Sequence, residues 1–153
     1  IIYGEQYPMI RKNVAKILSD RLKEPDDFNT VKIDFDESSI EEIIAEASLL
    51  PLGYDKKAIV VDNASFLTKE GKEEDKKKLL DCIKETPDEI NLIFILRSEK
   101  LDKKGLIASY IQENGQILEL LNLGKEDWPV YVRKYFKKRE VEIDRKSDTV
   151  RKV

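Results

Sequence analysis

Short runs of branched apolar residues alternate along this chain with longer segments in which apolar positions recur every three or four residues. That alternation predicts an α/β fold, a parallel sheet with helices on both faces. Five strands are expected, over Ile1 to Tyr3, Val31 to Phe35, Ala58 to Val61, Ile90 to Leu96 and Gln116 to Leu121. The third and fourth are apolar almost throughout, so they belong in the middle of the sheet, covered on both sides.

Between the strands, Ile10, Val14, Ile17, Leu18 and Leu22 make one buried stripe on a helix from Pro8 to Lys23, with the proline where a first helical turn tolerates it. A second helix is expected to start at Ser38, with Glu41 as its capping-box partner, and to bury Ile40, Ile43, Ile44 and Ala47. A third, Glu73 to Glu85, carries a narrow stripe of Leu79, Leu80 and Ile83 with Cys82 beside it. A fourth opens on Asp102 as cap, buries Leu106, Ile107, Tyr110 and Ile111, and stops at Asn114-Gly115, where a left-handed glycine is expected. Trp128 to Lys138 is read as the last helix. The charged run Lys137-Lys138-Arg139-Glu140 then suggests a first domain over 1–139, with 140–153 a linker or the start of a second domain. A chain that opens on Ile1-Ile2-Tyr3, inside a strand, reads as a fragment of a longer protein.

With 153 residues, of which 41% are hydrophobic, the chain is long enough for one domain with its own core. Acidic and basic residues are interspersed, 31 against 28, for a net charge of −3, so any DNA contact must be local, weak or indirect. There is no histidine and a single cysteine, Cys82. An internal disulfide and histidine-based zinc or acid–base chemistry are thereby excluded, and no metal site is expected. No apolar run approaches the roughly 18 residues that span a bilayer. No membrane association and a cytoplasmic location are the expectation.

Open parallel sheets bind ligands at the carboxyl ends of their strands. After the first strand a nucleotide-binding fold would place a glycine-rich loop ending in Gly-Lys-Ser/Thr, whose amides and lysine hold phosphates. This chain has Gly4-Glu5-Gln6-Tyr7-Pro8-Met9-Ile10-Arg11, with one glycine, no lysine and a carboxylate facing the phosphate position. Neither ATP nor another cofactor is expected, and no catalytic residue is assigned. Ile59-Val60-Val61-Asp62-Asn63 has the shape of a magnesium-holding strand end, but Asn63 stands where the water-activating acid would be. Asp62 is read as a solvated or capping carboxylate and Ser98 as a turn serine.

The same two residues allow an alternative from another class, a degenerate phosphoacceptor receiver or related α/β signalling domain. In such a domain an aspartate ends the third strand and a hydroxyl ends the fourth. That reading wants an acidic pair after the first strand and a lysine closing the fifth; Glu5 is single and Lys125 comes late. Asp34-Phe35-Asp36-Glu37 is assigned to the helix dipole of the following helix rather than to a metal. Arg133, Lys134, Lys137, Lys138 and Arg139 are read as a solvated basic face in preference to a DNA contact.

The segment Leu49-Leu50-Pro51-Leu52-Gly53-Tyr54 is the unusual one. Turns in soluble proteins are normally polar, and this one carries three leucines and a tyrosine around a proline and a glycine. Two readings stand side by side: a cap on the sheet edge, or an apolar patch that serves a partner.

The residues also carry a family resemblance. Ile2-Tyr3-Gly4-Glu5, then Leu49 to Lys57 directly before Ala58-Ile59-Val60-Val61, Ile93 to Leu96 leading to Lys100 to Lys104, and Glu119-Leu120 followed by Trp128 together resemble the delta subunit of the bacterial DNA polymerase III clamp loader. The resemblance spans nearly the whole chain. It implies an AAA+-like first domain that has lost its phosphate loop, with five parallel strands in the order 5-1-4-3-2. It also implies a role in DNA replication without catalysis, binding and opening the ring-shaped sliding clamp, the beta subunit. Other clamp-loader subunits would be engaged through regions absent from this chain. In the family, two bulky apolar residues before the third strand enter a pocket on the clamp. Aligned on Lys56-Lys57, they fall on Leu52 and Gly53. Glycine has nothing to bury, so the resemblance points to Leu52 with Leu50 or Tyr54 as the second anchor, within the clamp-binding set Leu49, Leu50, Leu52, Gly53 and Tyr54.

Overall fold

A computed structural model describes residues 1–23, 25–26, 29–51, 53 and 55–120, together with the strand Val132–Phe136. Leu52, Tyr54 and Lys125, and the proposed boundary after Arg139, lie outside the described residues.

Five parallel strands form the sheet: β1 (Ile2–Gly4), β2 (Thr30–Asp34), β3 (Lys57–Asp62), β4 (Ile90–Leu96) and β5 (Gln116–Leu120). Their spatial order is β2-β3-β4-β1-β5, the expected 5-1-4-3-2 read from the other edge. β1 lies between β4 and β5, with Ile2 opposite both Ile95 and Leu118. A receiver would place β1 beside β3, so the phosphoacceptor alternative is excluded by topology.

The sheet does not end at β5. A sixth strand, β6 (Val132–Phe136), pairs with it antiparallel, Leu118 opposite Lys134. The expected helix over Trp128 to Lys138 is therefore wrong where the structure describes it. Val130, Tyr131, Val132, Tyr135 and Phe136 concentrate β-branched and aromatic residues, and an otherwise unpaired β5 edge supplies the hydrogen bonds that favour a strand. With the helix goes the basic helical face.

Among the described residues, four helices cover the sheet. α1 (Tyr7–Leu22) packs alone on one face, where Ile10, Val14 and Leu18 meet Ile2, Ala58, Val60, Ile93, Ile95, Leu118 and Leu120. α2 (Ile40–Ala47), α3 (Glu73–Glu85) and α4 (Leu106–Asn114) share the other face with Tyr3, Ile33, Ile59, Val61, Phe94 and Ile117. The two core lists alternate along β3, as the period of a strand buried on both sides demands. Phe66 stands edge-on to both Phe35 and Phe94, at centroid distances of 4.9 and 5.2 Å, and closes the second core at the carboxyl end of the sheet.

Three caps differ from expectation. Ser39, not Ser38, is the cap of α2, its hydroxyl accepting from Glu42 N–H, while Ser38 donates to the Glu42 carboxylate. Two adjacent serines divide the capping box, and it closes on Glu42 rather than Glu41. Asp102 does not cap α4; its carbonyl accepts from Gly105 N–H, and the helix begins one turn later at Leu106. Gly115 ends that helix in an extended conformation, φ −140°, rather than a left-handed one. The acids Asp36 and Glu37 form a separate 3-10 turn after β2, so the first-turn acids of α2 are Glu41 and Glu42.

Candidate functional site

Two places in this fold carry unusual chemistry, one at each end of β3. At the entry to β3, α2 ends in Ser48 and the chain crosses to Lys57 through the apolar segment. Leu49 and Leu50 are 58% and 64% exposed, the large hydrophobic side chains left in solvent among the described residues. Pro51 is half-buried, and Gly53 is exposed with φ +77°, a left-handed turn that glycine adopts without strain. Of the two readings of this segment, a cap on the sheet edge does not describe Leu49 and Leu50.

At the exit of β3, Asp62 is held rather than free. The Arg97 guanidinium, one residue past β4, forks onto it with Nε to Oδ1 at 3.1 Å and Nη2 to Oδ2 at 2.5 Å. The same guanidinium lies 3.5 Å from the ring centroid of Tyr7, whose hydroxyl donates to Asp62 Oδ2 at 3.4 Å. Its hydrogen bonds to Asp62 push the Arg97 pKa further up. Beside this group Asn63, at φ +54°, donates to Asp34 Oδ1 at 2.9 Å. That bond, with the Asp36 N–H, lowers the Asp34 pKa. A bidentate arginine–carboxylate pair against an aromatic ring occupies the carboxyl ends of β3 and β4. Gly4 is packed against the neighbouring strand: a Cβ there would stand 2.2 Å from the Leu120 carbonyl oxygen of β5.

A family model for the DNA polymerase III delta subunit matches residues 1–121. The chain belongs to this delta-subunit family. A curated relative, DNA polymerase III subunit delta of Bacillus subtilis, is 23% identical over 131 residues, covering 82% of this chain and 38% of the relative. This delta-family chain thus spans about two-fifths of that relative's length. Among solved structures, the Bacillus subtilis DNA clamp loader delta protein superposes with a TM-score of 0.67 at 23% identity, over 80% of this chain and 38% of that one. A DNA polymerase III gamma-subunit-related protein from Thermotoga maritima reaches a TM-score of 0.52 at 18% identity, over 82% and 41% respectively. These likenesses show an AAA+-like fold.

In the delta-family chain the residues singled out in the sequence separate as follows. Leu49, Leu50 and Gly53 lie together at the exposed turn. Ser98 accepts from the Lys100 N–H at 3.0 Å, an ordinary turn serine. Asp62 is a partly exposed carboxylate paired with Arg97, and sequence reasoning missed that partner. Two signals could have found it: parallel neighbours β3 and β4 end together, and Arg97 is the first charge past β4. Lys57 was also missed, being read only as half of a basic pair. No helix among the described residues is long and apolar enough to cross a membrane, and no cluster of three or more acidic or sulfur ligands occurs among them.

Proposed function

We propose that this domain docks on the sliding clamp through the apolar turn Leu49 to Tyr54 and does so without nucleotide chemistry. The observation that carries the reading is the pair Leu49 and Leu50, exposed side by side in the same turn, just before Leu52 and Gly53, on which the family resemblance puts the clamp plug. Leu52 is the principal anchor on that resemblance, and Leu50 is the second residue the geometry favours over Gly53. The Tyr7–Arg97–Asp62 arrangement supports the other half, because a guanidinium forked onto the carboxylate competes with any cation for the same oxygens. The partners proposed are the clamp and, through further parts of the full-length protein, the other loader subunits. DNA contact would be indirect.

The test is affinity for the sliding clamp of the same organism, measured on the full-length protein by surface plasmon resonance. Burying a leucine contributes about 1.5 to 3 kcal/mol, so Leu52→Ala and Leu50→Ala should each weaken binding about tenfold to a hundredfold. Melting temperatures should stay close to wild type. Core residues of the same kind would cost about 2 to 5 kcal/mol of stability instead. Variants that bind normally would overturn the docking reading.

A further inference from the structure

Lys57 is the first residue of β3 and is only 6% exposed, whereas its neighbour Lys56 lies in solvent. Its main chain is fixed from the sheet: its N–H donates to the Glu89 carbonyl at 2.7 Å, and its carbonyl accepts from Asn91 Nδ2 at 3.3 Å. Its ammonium reaches back across the turn. Nζ donates to the Glu46 carbonyl at 2.9 Å, the Leu49 carbonyl at 3.2 Å and the Glu46 carboxylate at 3.2 Å.

An ammonium has three donors, and here each has an acceptor on the segment that leads into the exposed leucines. The Glu46 carbonyl lies in the last turn of α2, where it also accepts from the Leu49 N–H at 3.2 Å, and the Leu49 carbonyl lies two residues past the helix, near the end where the dipole favours a cation. Leu49 and Leu50 are in solvent and cannot anchor the turn by their own burial. A hydrocarbon side chain at position 57 would fill the same space without the cost of burying a charge, but it would cut the link from these two carbonyls to the sheet, leaving Glu46 only its local bond from the Leu49 N–H.

We propose that Lys57 is a positioning residue, a tether that references the Leu49–Leu50 turn to the sheet and so presents the docking surface in one arrangement. The inference rests on the docking reading above. A tethered turn loses less conformational freedom on binding than a loose one.

The experiment compares full-length wild type with Lys57→Met, Lys57→Arg, Glu46→Gln and Leu50→Ala, by hydrogen exchange without clamp and by clamp affinity. Lys57→Met should raise amide exchange at least tenfold in the segment 48–55, with α1 and β4 unchanged. It should weaken clamp binding about tenfold, the cost of ordering roughly one residue of backbone at the moment of docking. Lys57→Arg, which can reach the same carbonyls, should restore most of both. Unaltered exchange in that segment overturns the tether, and so does normal clamp affinity for Lys57→Met when Leu50→Ala binds weakly. Should Lys57→Met fail to fold, Glu46→Gln weakens one of the three bonds on a partly exposed side chain; it should raise exchange severalfold in the same segment, and no change there overturns the proposal. Normal clamp binding by Leu50→Ala overturns the docking reading instead, and the exchange comparison, which needs no clamp, still decides for or against the tether.

Discussion

Replacing Gly4 by alanine tests whether the glycine after β1 packs strands or leaves room for a phosphate. In the structure its φ is +146°, and an added Cβ would lie 2.2 Å from the Leu120 oxygen, against the 3.4 Å at which ordinary contact begins. The obstacle is backbone in a paired strand, Gly4 opposite Leu120, so it cannot swing aside. Relief requires β1 and β5 to part by about 1 Å, an overpacking that costs about 1 to 3 kcal/mol. The sparsely populated backbone conformation adds about 1 to 3 kcal/mol. Alanine's smaller unfolded-state entropy returns about 0.4 to 1 kcal/mol, leaving a loss of roughly 2 to 5 kcal/mol. At about 3 to 5 °C per kcal/mol for a domain of this size, the melting temperature should fall by about 6 to 25 °C in a calorimetric scan. Gly53→Ala is the internal control. Its φ of +77° is also positive, but nothing lies within 4 Å of the added methyl, so it should lower the melting temperature by under about 5 °C. A Gly4→Ala protein that melts within 3 °C or so of wild type would refute the steric argument and reopen Gly4 as a loop glycine.

Three further outcomes follow from the exit of β3 and from α3. Arg97→Ala should cost about 1 kcal/mol, the scale of a partly exposed ion pair and its ring contact, and a double-mutant cycle with Asp62→Asn should show that most of the loss is shared. The wild-type domain should give no heat on titration with ATP and magnesium, and micromolar binding would end the reading that it works without nucleotide. Burial pushes the Cys82 thiol up, aided by Glu85 and opposed by Thr86. Its alkylation by iodoacetamide should therefore rise with pH later than that of a free cysteine, and a rate curve at or below the free-thiol position would contradict the packing of α3.

Patterning carried the parallel sheet because β3 and β4 are buried on both faces and leave little ambiguity in the sequence, and the α1 stripe of Ile10, Val14 and Leu18 is buried as read. Element ends were less legible. Ser38 and Ser39 both suit a cap, and which one takes it depends on where the 3-10 turn of Phe35–Glu37 releases the chain. β6 was misread because Val132, Tyr135 and Phe136 recur at helical spacing and do not alternate as a half-buried strand would, and only the open edge of β5 decides for a strand. At the site, the exposed leucines could be named from sequence as an oddity. Lys57 and Arg97 could not be given their roles, since each acts on a residue 11 or 35 positions away that only the folded sheet brings near.

The position of β1 has a consequence for how the domain comes into being. It is an early strand that ends in the interior of the sheet, its Ile2 registered against Ile95 and Leu118, so both its neighbours come about a hundred residues later in the chain. The β2-β3-β4 half is joined by nearer partners and can assemble as its segments appear, with Thr30 opposite Ala58 and Lys57 opposite Ile90. Contacts of long sequence separation close late and slowly. During synthesis β1 must therefore wait, unpaired, until the ribosome has released β4, and its second edge stays open until β5 follows; this interval is when the chain has most need of a chaperone.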